Sequence, residues 1–253
     1  MKKYAKEVGP KCTPHILPNI KWTDLKEACI HAKASAGGLD GFSPADFRLL
    51  SDEAFRMLSG LLELIEGGAA WPTDTNVGRL AFMSKDDSKL DDALAYRLLS
   101  ILSVLYRRWA TVRLRNLKEW IASWAQDGFF AGTDAVGAED AWWETAVVIE
   151  EMLLNDTPFS AGTADIFKCF DQIPRELIYM MALHLGLDPK ILFAYRRFQE
   201  NLQMRNTIAG GLGKQFLKPC GIPQGCPLSM MFIALIMLPW LKTVKAKVPH
   251  RES

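Results

Sequence analysis

Residues 220–230, CGIPQGCPLSM, constrain this chain more than any other stretch. Gly221, Pro223, Gly225 and Pro227 surround Gln224. Proline fixes φ and glycine reaches backbone conformations closed to other residues, so the chain turns sharply and rigidly here. An apolar run, LSMMFIALIMLPWL, follows at residues 228–241. At 14 residues, with Pro239 inside, it is too short to span a bilayer and reads as a buried helix. A Gly-rich turn opening a helix brings backbone N–H groups close to anionic or polar ligands, although a plain loop-to-helix junction uses the same residue types. With 253 residues, 49% of them hydrophobic, the chain can bury that helix in one large domain or two small ones.

A second polar motif, ADIFKCFDQIP at residues 164–174, precedes the turn. Asp165 ends an apolar strand candidate, residues 159–166, and Asp171 lies six positions on. An Asp at a strand end suits Mg²⁺, a hard cation that takes oxygen ligands and keeps some positions for substrate phosphates. A strand-ending Asp also serves as a helix cap or turn residue. The stretch from Phe170 to Pro219, 49 positions apart, reads as two helices, 174–185 and 189–201, and a hairpin of 203–209 with 214–219 around GGLG. Asp188 caps the second helix.

Upstream the pattern is mostly helical. Residues 22–34 form a short helix capped by Thr23, and Ser43-Pro44 opens another that runs to Gly67-Gly68. Residues 79–84 suggest a strand, followed by a polar loop and a long amphipathic helix from about 98 to 124. Residues 138–154 are helical again. The fold class is α+β, rich in helix.

Five scattered cysteines, odd in number and without a CxxC pair, indicate reduced intracellular thiols rather than disulfides or zinc. The basic N-terminus lacks an apolar segment behind it, which argues against a signal peptide. The net charge of +1 gives no overall pull toward nucleic acid, but it averages two regions. Residues 172–253 carry 11 Lys/Arg against 4 Asp/Glu, and the rest is net acidic. Within that acidic part, residues 93–118 hold six cations and no acid. Such a surface holds phosphates, or is simply a solvated helix face.

Together the two motifs resemble those of the reverse transcriptase family. ADIFKCFDQIP looks like the palm segment that carries the first catalytic aspartate, and GIPQGCPLS like the segment packed under the template–nucleotide pair. The likeness extends upstream. GGLDGFSPADF (37–47) is similar to the opening of the fingers. Residues 79–107 resemble the finger hairpin, with Leu98 in place of the usual Pro of a YRPIS segment. Residues 126–141 resemble the Q-x-GF segment of non-LTR retroelement and group II intron enzymes, with Thr133-Asp134 replacing Arg-Ser.

The resemblance implies an incomplete right hand: an N-terminal extension at 1–36, fingers at 37–157 and a partial palm at 158–253. It implies an RNA template, a DNA primer, a dNTP and Mg²⁺, two ions in the complete enzyme, with no membrane partner. Asp165 would be catalytic and ligate metal together with the Ile166 carbonyl. Phe170 would stack on the incoming sugar and exclude a 2′-hydroxyl, which disfavours an RNA-dependent RNA polymerase. Gln224 and Gly225 would border the nucleotide, and Arg97 and Lys85 would hold its triphosphate. Arg107, Arg108, Arg113 and Arg115 would contact the template backbone, with Arg107 or Arg108 alternatively flanking the core of its helix. Trp142 and Trp143 are expected in packing, Asp171 in organising its turn, and the loop acids Asp86, Asp87, Asp91 and Asp92 in no metal site.

The family completes its metal centre with an aromatic-x-Asp-Asp hairpin beyond the PQG turn, and here the only acid after Glu200 is Glu252. The thumb is missing as well. The 253 residues alone are therefore expected not to polymerise DNA, whether as a fragment of an active enzyme, an inactive remnant or a nucleic-acid-binding module. Strand 159–166 is expected to form an exposed edge, and the apolar helix to be partly uncovered.

Overall fold

The computed structural model describes residues 5–85, 88–89, 91–125, 128–133, 136–208 and 210–247. The chain is a mixed α/β protein, about 52% helix and 12% strand. Helix outweighs strand, and the strands gather in one small sheet, as the α+β class expects. Asp86, Asp87, Asp127, Asp134 and His250 lie outside the described residues.

In chain order the elements are α1 (Ala5–Val8), α2 (Trp22–Ile30), α3 (Pro44–Arg48), α4 (Asp52–Glu66), β1 (Val77–Ser84), β2 (Tyr96–Ile101), α5 (Val104–Asn116), α6 (Lys118–Trp124) and α7 (Ala138–Leu154). Then follow α8 (Cys169–Gln172), α9 (Arg175–His184), α10 (Pro189–Asn201), β3 (Gln203–Ile208), β4 (Gly211–Leu217) and α11 (Ser229–Lys247).

Several expectations need correction. The helix after Ser43 is two helices: α3 stops at Arg48, and Ser51 caps a fresh start by accepting from the Ala54 N–H at 3.2 Å. Lys21, not Thr23, occupies the cap position of α2. The long helix expected from 98 is a strand followed by α5 and α6, because residues 96–101 pair antiparallel with β1. Ladder bonds to a neighbouring strand outweigh a helical hydrophobic spacing there.

The largest departure is at 159–166, which forms no strand. Ala161, Gly162, Ala164 and Asp165 are poor strand formers, and no described strand lies alongside to take their backbone groups. The segment is exposed coil, so the expected edge does not form.

The sheet has the order β2-β1-β3-β4. β1 pairs antiparallel with β2 and parallel with β3, Arg79 lying beside Arg205, and β3 pairs antiparallel with β4 around the expected hairpin. Residues on either side of 157 thus share one sheet. Side chains alternate between its faces. Leu80, Ser100 and Met204 face inward and are buried, while Arg79, Arg97, Leu99 and Arg205 share the outer face.

The core behind the sheet is built from α2, α4, α5, α9, α10 and α11. At its centre Tyr106 stacks on Phe198 with ring centroids 3.5 Å apart, and Trp71 meets both rings edge-on. Trp71 Nε1 donates to the Ala194 carbonyl at 2.9 Å, which answers its buried N–H. The N-terminal segment is tied along α9: the Cys12 N–H donates to the His184 carbonyl and the His15 N–H to the Gly186 carbonyl, both at 2.8 Å. Asp188 caps α10 as expected, through the Lys190 N–H, and also accepts from the Leu17 N–H, each at 2.9 Å.

α11 runs for 19 residues through Pro239, longer than the apolar run that announces it. By length and composition it could cross a membrane, and a third of its most apolar window is buried inside the protein. α7 buries no residue. Trp142 and Trp143, expected in packing, are 69% and 64% exposed on it.

Candidate functional site

The two motifs meet, and β2 meets them both. The Ile222 N–H donates to the Phe170 carbonyl at 2.8 Å, and the Gly221 N–H to the Ile173 carbonyl at 2.9 Å. The turn therefore docks on α8 through its backbone. From the other side the Ser100 N–H of β2 donates to the Gln224 carbonyl at 2.6 Å. Both glycines are needed for this approach. Gly221 has φ +80°, and a Cβ there would lie 2.6 Å from the Phe170 and Asp171 carbonyl oxygens. Gly225 has φ +128°, and its Cβ would run into the Ser100 carbonyl.

The underside of the turn is fixed by buried polar groups. Ser229 Oγ donates to the Pro223 carbonyl at 2.9 Å. The Tyr106 hydroxyl lies 3.1 Å from Cys226 Sγ and accepts from Gln199 Nε2 at 3.3 Å. Burial above all, with the Cys226 sulfur beside it, pushes the Tyr106 hydroxyl well above its ordinary pKa. Burial likewise raises the Cys226 thiol, so both stay neutral and structural.

Arg175 was not anticipated. Its guanidinium is buried and donates to the carbonyls of Gly221 at 2.8 Å, Gln199 at 3.3 Å, Cys220 at 3.5 Å and Lys218, and to Glu200 Oε2 at 3.1 Å. One side chain thus gathers the end of α10 and the strand leading into the turn. Its place in the first helical turn directly after the Asp165 motif was the available signal.

The segment carrying Asp165 is held at its far end. Lys168 sits at φ +48°, an uncommon conformation for a side-chain-bearing residue, and its Nζ donates to the carbonyls of Tyr96 at 3.0 Å and Leu94 at 3.3 Å. Phe170 packs half-buried against the core. Asp171 organises the turn as expected: its Oδ1 takes Lys218 Nζ at 2.6 Å, and its carbonyl takes Cys220 Sγ at 3.3 Å.

Asp165 and Ile166 are exposed in the coil that replaces the expected strand. Burial, and next the Asp165 charge, raises the pKa of the Cys169 thiol at the start of α8. The Ile166 carbonyl already accepts from the Cys169 N–H at 3.2 Å. Asp171 is engaged by Lys218, and among the described residues no group of three His, Cys, Asp or Glu side chains converges. One free carboxylate and one partly used carbonyl do not fit a pair of Mg²⁺ ions, which need bridging carboxylates.

The expected cations divide into two sets. Arg97 is exposed on the outer face of β2 and opposes Met83; Lys85 follows β1, exposed, its N–H donating to the Ala95 carbonyl at 2.9 Å. Both lie next to the Leu94–Tyr96 stretch that Lys168 holds. The α5 arginines are occupied by the fold instead. Arg113 is 1% exposed and forks onto Glu66: Nε reaches Oε1 at 2.7 Å and Nη2 reaches Oε2, while Nη1 donates to the Pro18 carbonyl at 2.9 Å. Trp109 Nε1 shares Glu66 Oε1 at 2.7 Å. Arg113 is thus removed from the template surface, because its helix turns that face into the core. Arg107 donates to Ser35 Oγ at 3.0 Å and the Ala36 carbonyl at 2.8 Å, and Arg108 to the Ala28 carbonyl at 3.0 Å. Arg115 pairs with Glu27 at 3.3 Å. Burial depresses the pKa of both Arg107 and Arg108, as expected of cations that flank a core.

No protein-family model matches this chain. No curated protein matches it significantly.

Proposed function

We propose that these residues are the fingers and first part of the palm of an RNA-directed DNA polymerase, built to bind template, primer and dNTP. The observation that supports this reading is the convergence of three distant segments, Tyr96–Ser100, Lys168–Ile173 and Gly221–Gly225, through direct hydrogen bonds. Each resembles a segment of the reverse transcriptase site, and their meeting in space is what this reading expects.

In this reading Gln224 and Gly225 form the floor under the nucleotide, Phe170 lies against its sugar, and Arg97 and Lys85 neutralise its phosphates. Asp165 stands as the only free carboxylate of the described site, so the 253 residues bind without adding nucleotides. That same isolation of Asp165 favours a second reading, a nucleic-acid-binding element without catalysis.

The two are separated by mixing the protein with a labelled primed RNA template and following anisotropy. A polymerase segment binds more tightly when the dNTP complementary to the next template base is added, and Arg97→Ala removes that increment. Equal binding with matched and mismatched dNTP would exclude the polymerase reading. Primer extension abolished by Asp165→Ala would show that the 253 residues are active after all.

A further inference from the structure

The four strands carry no acidic residue, yet three arginines stand on the outer face of the sheet. Arg79 of β1 and Arg205 of β3 are direct neighbours in the parallel register, on strands about 4.8 Å apart. Arg97 lies on the same face of β2, opposite Met83, about 13 Å further along β1. None of the three has an ion pair or a side-chain hydrogen bond among the described residues. Like charges placed side by side in a sheet repel, so this arrangement is unfavourable unless an anion lies between them.

Two unsatisfied atoms mark the same spot. Arg79 Nε and Thr207 Oγ1 are buried without a hydrogen-bond partner, and Thr207 is next but one to Arg205 on β3. Across from Arg205 on β4 lies Gln215, uncharged and exposed. Leu99, Ile101 and Met83 separate the arginines with apolar surface. Forked cations alternating with apolar side chains suit a strand that offers phosphates and bases in turn.

We propose that Arg79 and Arg205 together hold one backbone phosphate of a single nucleic-acid strand lying across the outer face of the sheet. This rests on the nucleic-acid partner of the proposed function and adds a contact point to which the resemblance assigns no role. The strand leaves the nucleotide floor at Gly225, which touches β2 at Ser100, and crosses β1 toward β3 and β4.

The test uses a labelled single-stranded RNA of about twelve nucleotides, titrated over a range of salt. One phosphate contact on a single strand contributes about 0.7 to the slope of log affinity against log salt. The double variant Arg79→Gln/Arg205→Gln should lose that amount and either single variant clearly less, because the side chain that remains still neutralises the shared phosphate. The loss corresponds to about fivefold weaker binding at 0.1 M than at 1 M salt, relative to wild type. Arg205→Lys, which keeps the charge, should retain most of the slope. Melting temperatures of the free variants should equal or exceed the wild type, since repulsion is relieved; a merely structural pair would melt lower. An unchanged slope in the double variant, with Arg97→Gln still weakening binding, would overturn the phosphate site and leave the proposed function standing. An equal loss in Arg196→Gln, on the distant face of α10, would reduce the effect to bulk charge and also overturn it. If inorganic triphosphate stabilises the wild type through these arginines while the RNA slopes do not move, the occupant is a free nucleotide rather than a strand. No RNA binding at all would remove both readings.

Discussion

Replacing Glu66 by Gln tests whether Arg113 belongs to the core or to a nucleic-acid surface. Glu66 is 6% exposed and accepts from both Arg113 and Trp109. Gln keeps an acceptor for Trp109 but cancels the charge that balances the guanidinium. Removing one partner of a buried pair costs about 3–5 kcal/mol, because the remaining charge is left uncompensated in a poorly solvated site. A chain of this size loses about 2–4 °C of melting temperature per kcal/mol, so the midpoint should fall by about 6–20 °C. Urea titration followed by tryptophan fluorescence should show a lower midpoint at an unchanged slope. Glu66→Leu combined with Arg113→Met should recover part of the loss, limited by the Trp109 N–H and the Pro18 carbonyl, each left unpaired at about 1–3 kcal/mol. A loss below about 1 kcal/mol in Glu66→Gln, or an Arg113→Gln variant with wild-type stability and a reduced salt slope for RNA, would return Arg113 to the template surface.

Gly225→Ala should separate the turn from β2, costing about 1–3 kcal/mol for the positive φ alone, with hydrogen exchange at the Ser100 amide rising as the diagnostic. Arg175→Met leaves several carbonyls around the turn without their donor, and at about 1–3 kcal/mol for each it should lower the urea midpoint more than Arg196→Met does. Burial raises the Cys29 thiol from 9.0 to about 11, so the folded state holds that proton more tightly than the unfolded chain. Its stabilising effect is complete below pH 9 and is lost as pH rises toward 11, so alkaline melts should decline over that window and Cys29→Ala should flatten the decline.

The legible parts of this fold were those written locally. The α10 cap at Asp188, the hairpin around Gly210 and Gly211, and the helix after Pro227 follow from turn and cap chemistry confined to a few residues. Residues 96–101 misled because helical spacing and strand pairing compete there, and the parallel partner that completes the sheet lies more than 100 positions away. Segment 159–166 misled in the opposite sense, since a strand needs a neighbour and a short apolar-looking stretch does not supply one. At the site, the PQG turn and α8 were readable as motifs, while their attachment to Ser100 was not, because it runs through backbone atoms that every sequence possesses. Glu66 could have been found: it continues the apolar face of Phe55, Leu62 and Ile65, where a carboxylate needs a buried cation.

The parallel pairing of β1 with β3 also sets an order of events during synthesis. β1 and β2 can close on each other as soon as they leave the ribosome, but the other edge of β1 must wait about 120 residues for its partner. At about 5–20 residues per second that is a delay of roughly 6–24 s, during which the edge carrying the Arg79 backbone has no ladder. Closing so long a loop is slow compared with forming either hairpin, so the sheet should be assembled last, from two preformed halves. The nucleotide floor rests on β2 through Ser100 and on α8 through Phe170, so binding competence should appear only with that final docking, after most of the helical structure is in place.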